Sequence, residues 1–127
     1  MKTILLYGDS NTWGFNPDFT CRTDMRYVRQ ERWGGVLQAQ LGNDYNVLEE
    51  GLGGRTTTLE DPAAPGRSGL ALLAPIVQSH QPIEVLVFLL GTNDMKNTYR
   101  ASVADIRRGM ELLLQNAQNP YWWDTRK

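Results

Sequence analysis

Apolar and polar positions along the chain fall into short blocks of two kinds. Ile4-Leu5-Leu6-Tyr7 is an apolar run closed by Gly8, the pattern of a parallel strand buried on both faces. Trp33, Val36, Leu37 and Leu41 recur at helical spacing, with Gly42 as a stop. Tyr45 to Leu48 reads as a second short strand, closed by Glu49-Glu50-Gly51. Ser68 can cap a helix over Leu70 to Ser79, where Pro75 predicts a kink or a break. Val85 to Leu90 is the strongest strand, apolar on both faces as a central parallel strand is. Ser102 and Asp105 have capping-box spacing ahead of Val103, Ile106, Met110, Leu113 and Leu114, a helical stripe that reads as a core face. Residues 16–30 and 51–69 are polar and aperiodic, and read as two long loops.

The order is strand, helix, strand, helix, strand, helix, which predicts a parallel sheet covered by helices. Ligands in such sheets bind beyond the carboxyl ends of the strands. Three polar, glycine-bearing segments fall at those ends: Gly8-Asp9-Ser10, Gly51 to Thr58, and Gly91 to Asp94. They are expected to converge in space. The 127 residues suffice for one domain. Residues 1–118 are expected to be the N-terminal part of a single domain, with 119–127 an atypical tail, since Asn119-Pro120 stops the last helix before Tyr121-Trp122-Trp123.

A net charge of −1 gives no electrostatic footprint for nucleic acid. Cys21 stands alone, so neither an internal disulfide nor a cysteine metal site is expected, and no cofactor. The first apolar run is too short for a leader and no run approaches a membrane span, which points to a cytoplasmic chain without membrane contact. The oligomeric state is left open, a homo-oligomer included.

A serine displayed just past a strand can attack an ester carbonyl if a base takes its proton and donors face the developing oxyanion. Gly53-Gly54 can offer a backbone N–H with no side chain in the way, and Asn93 a side-chain amide. Each feature alone is more often a turn or a cap. Their common position at strand ends is what points to chemistry. A flavodoxin-like nucleotide or flavin binder also fits the layering, but the first loop lacks a phosphate-cradling glycine pattern.

"GDSNTWG" with Ser10, "EEGLGGRTT" with Gly54 and "LLGTNDMK" with Asn93 resemble three sequence blocks of the SGNH (GDSL-type) hydrolases. The likeness is nearest to the bacterial arylesterase/acyltransferase branch and runs over roughly residues 2 to 115, with the Arg32 to Leu37 helix in register. The resemblance implies a flavodoxin-like three-layer α/β/α sandwich with a parallel sheet. It implies Ser10 as nucleophile, with the N–H groups of Ser10 and Gly54 and the Asn93 side chain as the oxyanion hole. Small esters would be substrates, with water or an alcohol as acceptor of the acyl group. Trp13 would line the pocket or be a core aromatic. Arg55 would position substrate or be a solvated loop arginine.

The family's final Asp-x-x-His block is not found. The single histidine, His80, precedes the third strand and is expected more than ~20 Å from its carboxyl edge. Asp124 and Lys127 keep only the spacing of that block. The expectation is an incomplete chain lacking the last strands and helix, with little activity alone. A non-catalytic acyl-binding pseudoenzyme, or a module completed by a partner, is the alternative.

Overall fold

A computed structural model describes residues 1–20 and 24–123. The expectations placed on Cys21, Asp124 and Lys127 lie outside the described residues. The chain divides into two compact units, the first Met1–Gly53 with Glu84–Leu89, the second Gly54–Ile83 with the residues from Leu90 onward.

The first unit holds a three-stranded parallel sheet, with β1 (Lys2–Gly8), β2 (Tyr45–Gly51) and β3 (Val85–Leu89) in the order β2-β1-β3. Its register pairs Leu6 with Glu49 and Val87, and Gly8 with Gly51 and Leu89, so all three strands end together. Leu5, Leu6 and Tyr7 are fully buried, as the uninterrupted apolar run requires. The central strand is therefore β1. Among the described residues β3, though apolar in sequence on both faces, has one strand neighbour, and Val85 and Leu89 are 43% and 46% exposed. An apolar run reports burial on both faces but not which strand lies in the middle.

Helix α1 (Ser10–Trp13) follows β1 directly, and α2 (Trp33–Leu41) covers β1 and β2. Trp33, Leu37 and Leu41 pack on Ile4, Leu6 and Val47, whereas Val36 points outward. Gly42 ends α2 as expected. The first long loop is tied at its ends, with Phe15 and Arg26 in an antiparallel bridge and Tyr27 N–H donating to Gly14 O.

The second unit contains α3 (Gly69–Ser79), α4 (Val103–Ala117) and α5 (Pro120–Trp123). Ser68 caps α3 by accepting the Ala71 N–H. Pro75 lies inside α3 at an exposed position without breaking it. In α4 the Ser102–Asp105 capping box forms in both directions. The core stripe of α4 is narrower than expected: Leu113 is buried while Val103 is 85% exposed. Periodicity gives the width of a stripe, not how much of it is covered. Trp122 of α5 is buried and α5 packs on α3. No described helix is long and apolar enough to cross a membrane.

Candidate active site

Ser10 is the first residue of α1, immediately beyond the carboxyl end of the central strand. Asp9, buried, caps this helix by accepting the Asn11 N–H at 2.9 Å. The N–H of Ser10, at the first helical position, has no intrahelical acceptor. Ser10 is half-buried, and among the described residues its Oγ takes part in no hydrogen bond. A serine placed this way displays its hydroxyl at the sheet edge.

Close packing at the strand ends fixes that placement. A Cβ on Gly51 would lie 2.2 Å from the Trp13 backbone nitrogen, so only glycine lets α1 sit against the end of β2. Thr12 is fully buried and its Oγ1 accepts from Trp33 Nε1 at 3.2 Å, which joins α1 to α2.

Trp13 is half-buried and held from outside by Arg26. Arg26 Nε donates to Trp13 O at 2.7 Å, and its guanidinium carbon lies 4.7 Å from the indole centroid. Behind them is Glu49 of β2, 6% exposed at its side chain, with Arg29 at 3.0 Å, Arg32 at 3.5 Å and Arg26 at 3.9 Å. Desolvation lowers the pKa of Arg26, Arg32 adds to this, and Glu49 opposes both. The sequence suggested only that Glu49 closes a strand. The signal that was there is a charged residue next to an apolar strand run, with arginines spaced through the loop before α2.

The other candidates lie in the second unit. Gly54 has φ +79, a left-handed backbone that suits glycine. Asn93 is buried and opens a short 3-10 turn, Asn93–Met95. Its Nδ2 donates to Arg55 O at 3.0 Å. That bond uses one amide hydrogen and fixes the direction of the other. Arg55 is 3% exposed, so the reading of a solvated loop arginine is corrected. A polar loop residue reads as solvated when the partners that enclose it are distant in sequence.

Asp94, 1% exposed, accepts from Thr57 N at 3.0 Å and Thr57 Oγ1 at 2.5 Å. Together with the Asn93 bond, this ties the Gly54–Thr57 loop to the segment after β3. In the sequence, Thr57 and Asp94 are marked only as members of two polar segments, and nothing there signals that they pair. His80 is the C-cap of α3 and precedes the start of β3 in the chain, whereas Ser10 follows the end of β1. The structure thus brings Asn93 to Arg55 and the Gly54 loop in one unit, and places Ser10 and Trp13 together in the other.

Comparison with curated protein sequences gives no match. Solved structures do match. An aryl esterase of M. smegmatis shares 39% identity at a TM-score of 0.88, over 94% of this chain and 55% of that one. Est24, a carbohydrate acetylesterase from Sinorhizobium meliloti, shares 35% at 0.88 over the same fractions. A putative arylesterase from Agrobacterium tumefaciens shares 40% at 0.81, over 91% of this chain and 54% of that one. The chain thus spans about half the length of the structures it resembles. These matches carry the SGNH α/β fold that the sequence resemblance implied, and it contains the parallel sheet expected from the alternation of strands and helices. Residues 6–121 match the GDSL-like lipase/acylhydrolase family, and the chain belongs to that family.

Proposed function

We propose that this chain supplies the nucleophile and the oxyanion donors of a serine carboxylester hydrolase or acyltransferase acting on small esters. The observation that carries the reading is Ser10 itself: first in its helix, at the end of the central strand, with Oγ engaged by no described residue. The held amide of Asn93 supports it.

In this reading Ser10 Oγ bonds to the ester carbonyl carbon as its proton passes to a base. The carbonyl π pair moves onto oxygen, which Ser10 N–H, Gly54 N–H and Asn93 Nδ2–H stabilise. The tetrahedral intermediate collapses, the alkoxide leaves with a proton as alcohol, and Ser10 carries the acyl group. Water or a second alcohol then attacks the acyl carbon and frees Ser10. Each donor contributes about 3 kcal/mol to the transition state. Trp13 lines the site. Arg55 acts through its carbonyl, by orienting Asn93. His80 is assigned no part in proton transfer.

The test is labelling of the 127-residue chain with a fluorophosphonate between pH 7 and 10, mapped by mass spectrometry. Labelling at Ser10 is expected, abolished by Ser10→Ala and slowed about 100-fold by Asn93→Ala. The rate should climb with pH without levelling near neutrality, because hydroxide rather than a side chain removes the proton. Labelling that survives Ser10→Ala, or none at any pH, overturns the assignment.

A further inference from the structure

Arg67 belongs to none of the sequence blocks that point to esterase chemistry, yet it lies on the Gly54 loop. Its backbone is pinned there: Thr56 N–H donates to Arg67 O at 2.9 Å, and Thr56 and Ser68 form a parallel bridge. Its side chain folds back over the same loop. A Cβ on Gly54 would lie 3.1 Å from Arg67 Nε and 3.2 Å from its Cδ, so the arginine stem occupies space that glycine leaves open.

The charge on Arg67 is poorly used within the protein. The residue is half-buried, and its one described side-chain hydrogen bond is a long 3.5 Å contact from Nη1 to Pro65 O. Among the described residues it forms no ion pair. The nearby acids are engaged elsewhere. Glu60 Oε1 takes the Ser68 N–H at 2.6 Å, Asp61 Oδ1 takes the Ala63 N–H at 2.9 Å, and Asp94 is held by Thr57. Burial first, and then Asp61, Asp94 and Glu60, push the Tyr99 hydroxyl pKa up, while Arg67 opposes them. The field at Tyr99 is therefore mainly acidic, so Arg67 would hold an anion by direct contact and not by long-range attraction. A guanidinium suits a carboxylate because two parallel N–H groups meet its two oxygens.

We propose that Arg67 is a specificity residue that binds an anionic group on the ester, a few bonds from the carbonyl held at Gly54 N–H. The favoured class is the short half-ester of a dicarboxylic acid. The proposal rests on the oxyanion assignment of Gly54, and its test separates the two.

Two p-nitrophenyl phosphonates serve as probes, one with a carboxylate tail and one with the same tail as its methyl ester. The wild-type chain should label about tenfold faster with the carboxylate probe, relative to the neutral one. Arg67→Gln should erase that ratio and Arg67→Lys should keep part of it. Equal slowing of both probes by Arg67→Gln, or an unchanged ratio, overturns the proposal. A second measurement does not need Ser10 to react: titration of the 15N-labelled chain with succinamate and with neutral succinamide. The Gly54 amide should shift and saturate with succinamate only, and lose this response in Arg67→Gln. Equal response to both ligands overturns the proposal even if phosphonate labels nothing. Failure of labelling alone removes the nucleophile reading and leaves the anion site to be decided by the titration.

Discussion

Replacing Glu49 with glutamine removes the negative charge that Arg26, Arg29 and Arg32 face. The three contacts differ in worth. Arg32 is 12% exposed at its side chain and Glu49 6%, so their 3.5 Å pair is largely desolvated. Arg29 and Arg26 are 35% and 42% exposed, and solvent screens their pairs. Breaking a buried pair costs about 3–5 kcal/mol because the surviving charge stays buried. Arg32 Nε meets Glu49 Oε2 at 3.5 Å without hydrogen-bond geometry, which puts this pair at the low end. The two screened pairs add roughly 0.5 kcal/mol each. Glu49→Gln should therefore destabilise the chain by about 4 kcal/mol, a fall in Tm on the order of 10 °C for a chain of this size. Urea unfolding followed by tryptophan fluorescence reads it directly. Glu111→Gln is the control: its pairs with Arg107 and Arg108 join side chains 40–81% exposed, and the change should stay below ~0.5 kcal/mol. A loss under ~1 kcal/mol for Glu49→Gln, or a loss equal to that of Glu111→Gln, would refute the view that Glu49 is the anchor of the arginine loop.

Thr57→Val takes the hydroxyl from buried Asp94 and should cost about 1–3 kcal/mol in urea unfolding; an unchanged midpoint would mean Asp94 does not hold the Gly54 loop. Gly51→Ala places a methyl 2.2 Å from the Trp13 nitrogen and should destabilise by roughly 2 kcal/mol or more, measured the same way; a neutral result contradicts the close approach of α1 to β2. Ser68→Ala removes the α3 cap and should cost about 1 kcal/mol, which a melt by circular dichroism detects. The backbone and side chain of Ser102 hold the Asp105 carboxyl below its usual pKa. A depressed carboxyl stabilises above its unfolded pKa, and that contribution disappears as pH falls through the folded one. The Tm of the wild type should thus drop through the acid range more than that of Asp105→Asn, and parallel acid profiles would exclude the linkage.

Much of the architecture was legible because each element buries its own apolar pattern. Ile4 to Tyr7 reads as a strand buried on both faces, and the stripe of Trp33, Leu37 and Leu41 packs on the sheet, with Val36 left outside. The capping box of Ser102 and Asp105 is local chemistry, and it forms as spaced. What was not legible depends on neighbours that sequence order does not name. Whether the Val85 strand is central or flanking is decided by what lies beside it. The extent to which α4 covers its stripe depends on α3, not on α4. The burial of Arg55, the Thr57–Asp94 pair and the placement of Arg67 against Gly54 arise from loops folded against distant segments, and no period marks them. Glu49 was misjudged for the same reason: its partners lie some twenty residues upstream in a stretch with no regular pattern.

The central proposal is that Ser10, Gly54 and Asn93 act on one oxyanion. Phosphonylation of Ser10 puts a strongly polarised phosphoryl oxygen where the intermediate's oxyanion would be, and 15N–1H spectra then read each donor separately. Large downfield shifts of three protons together are expected: the Ser10 N–H, the Gly54 N–H and one hydrogen of the Asn93 side-chain amide. A shift confined to Ser10, with Gly54 and Asn93 unmoved, would contradict it.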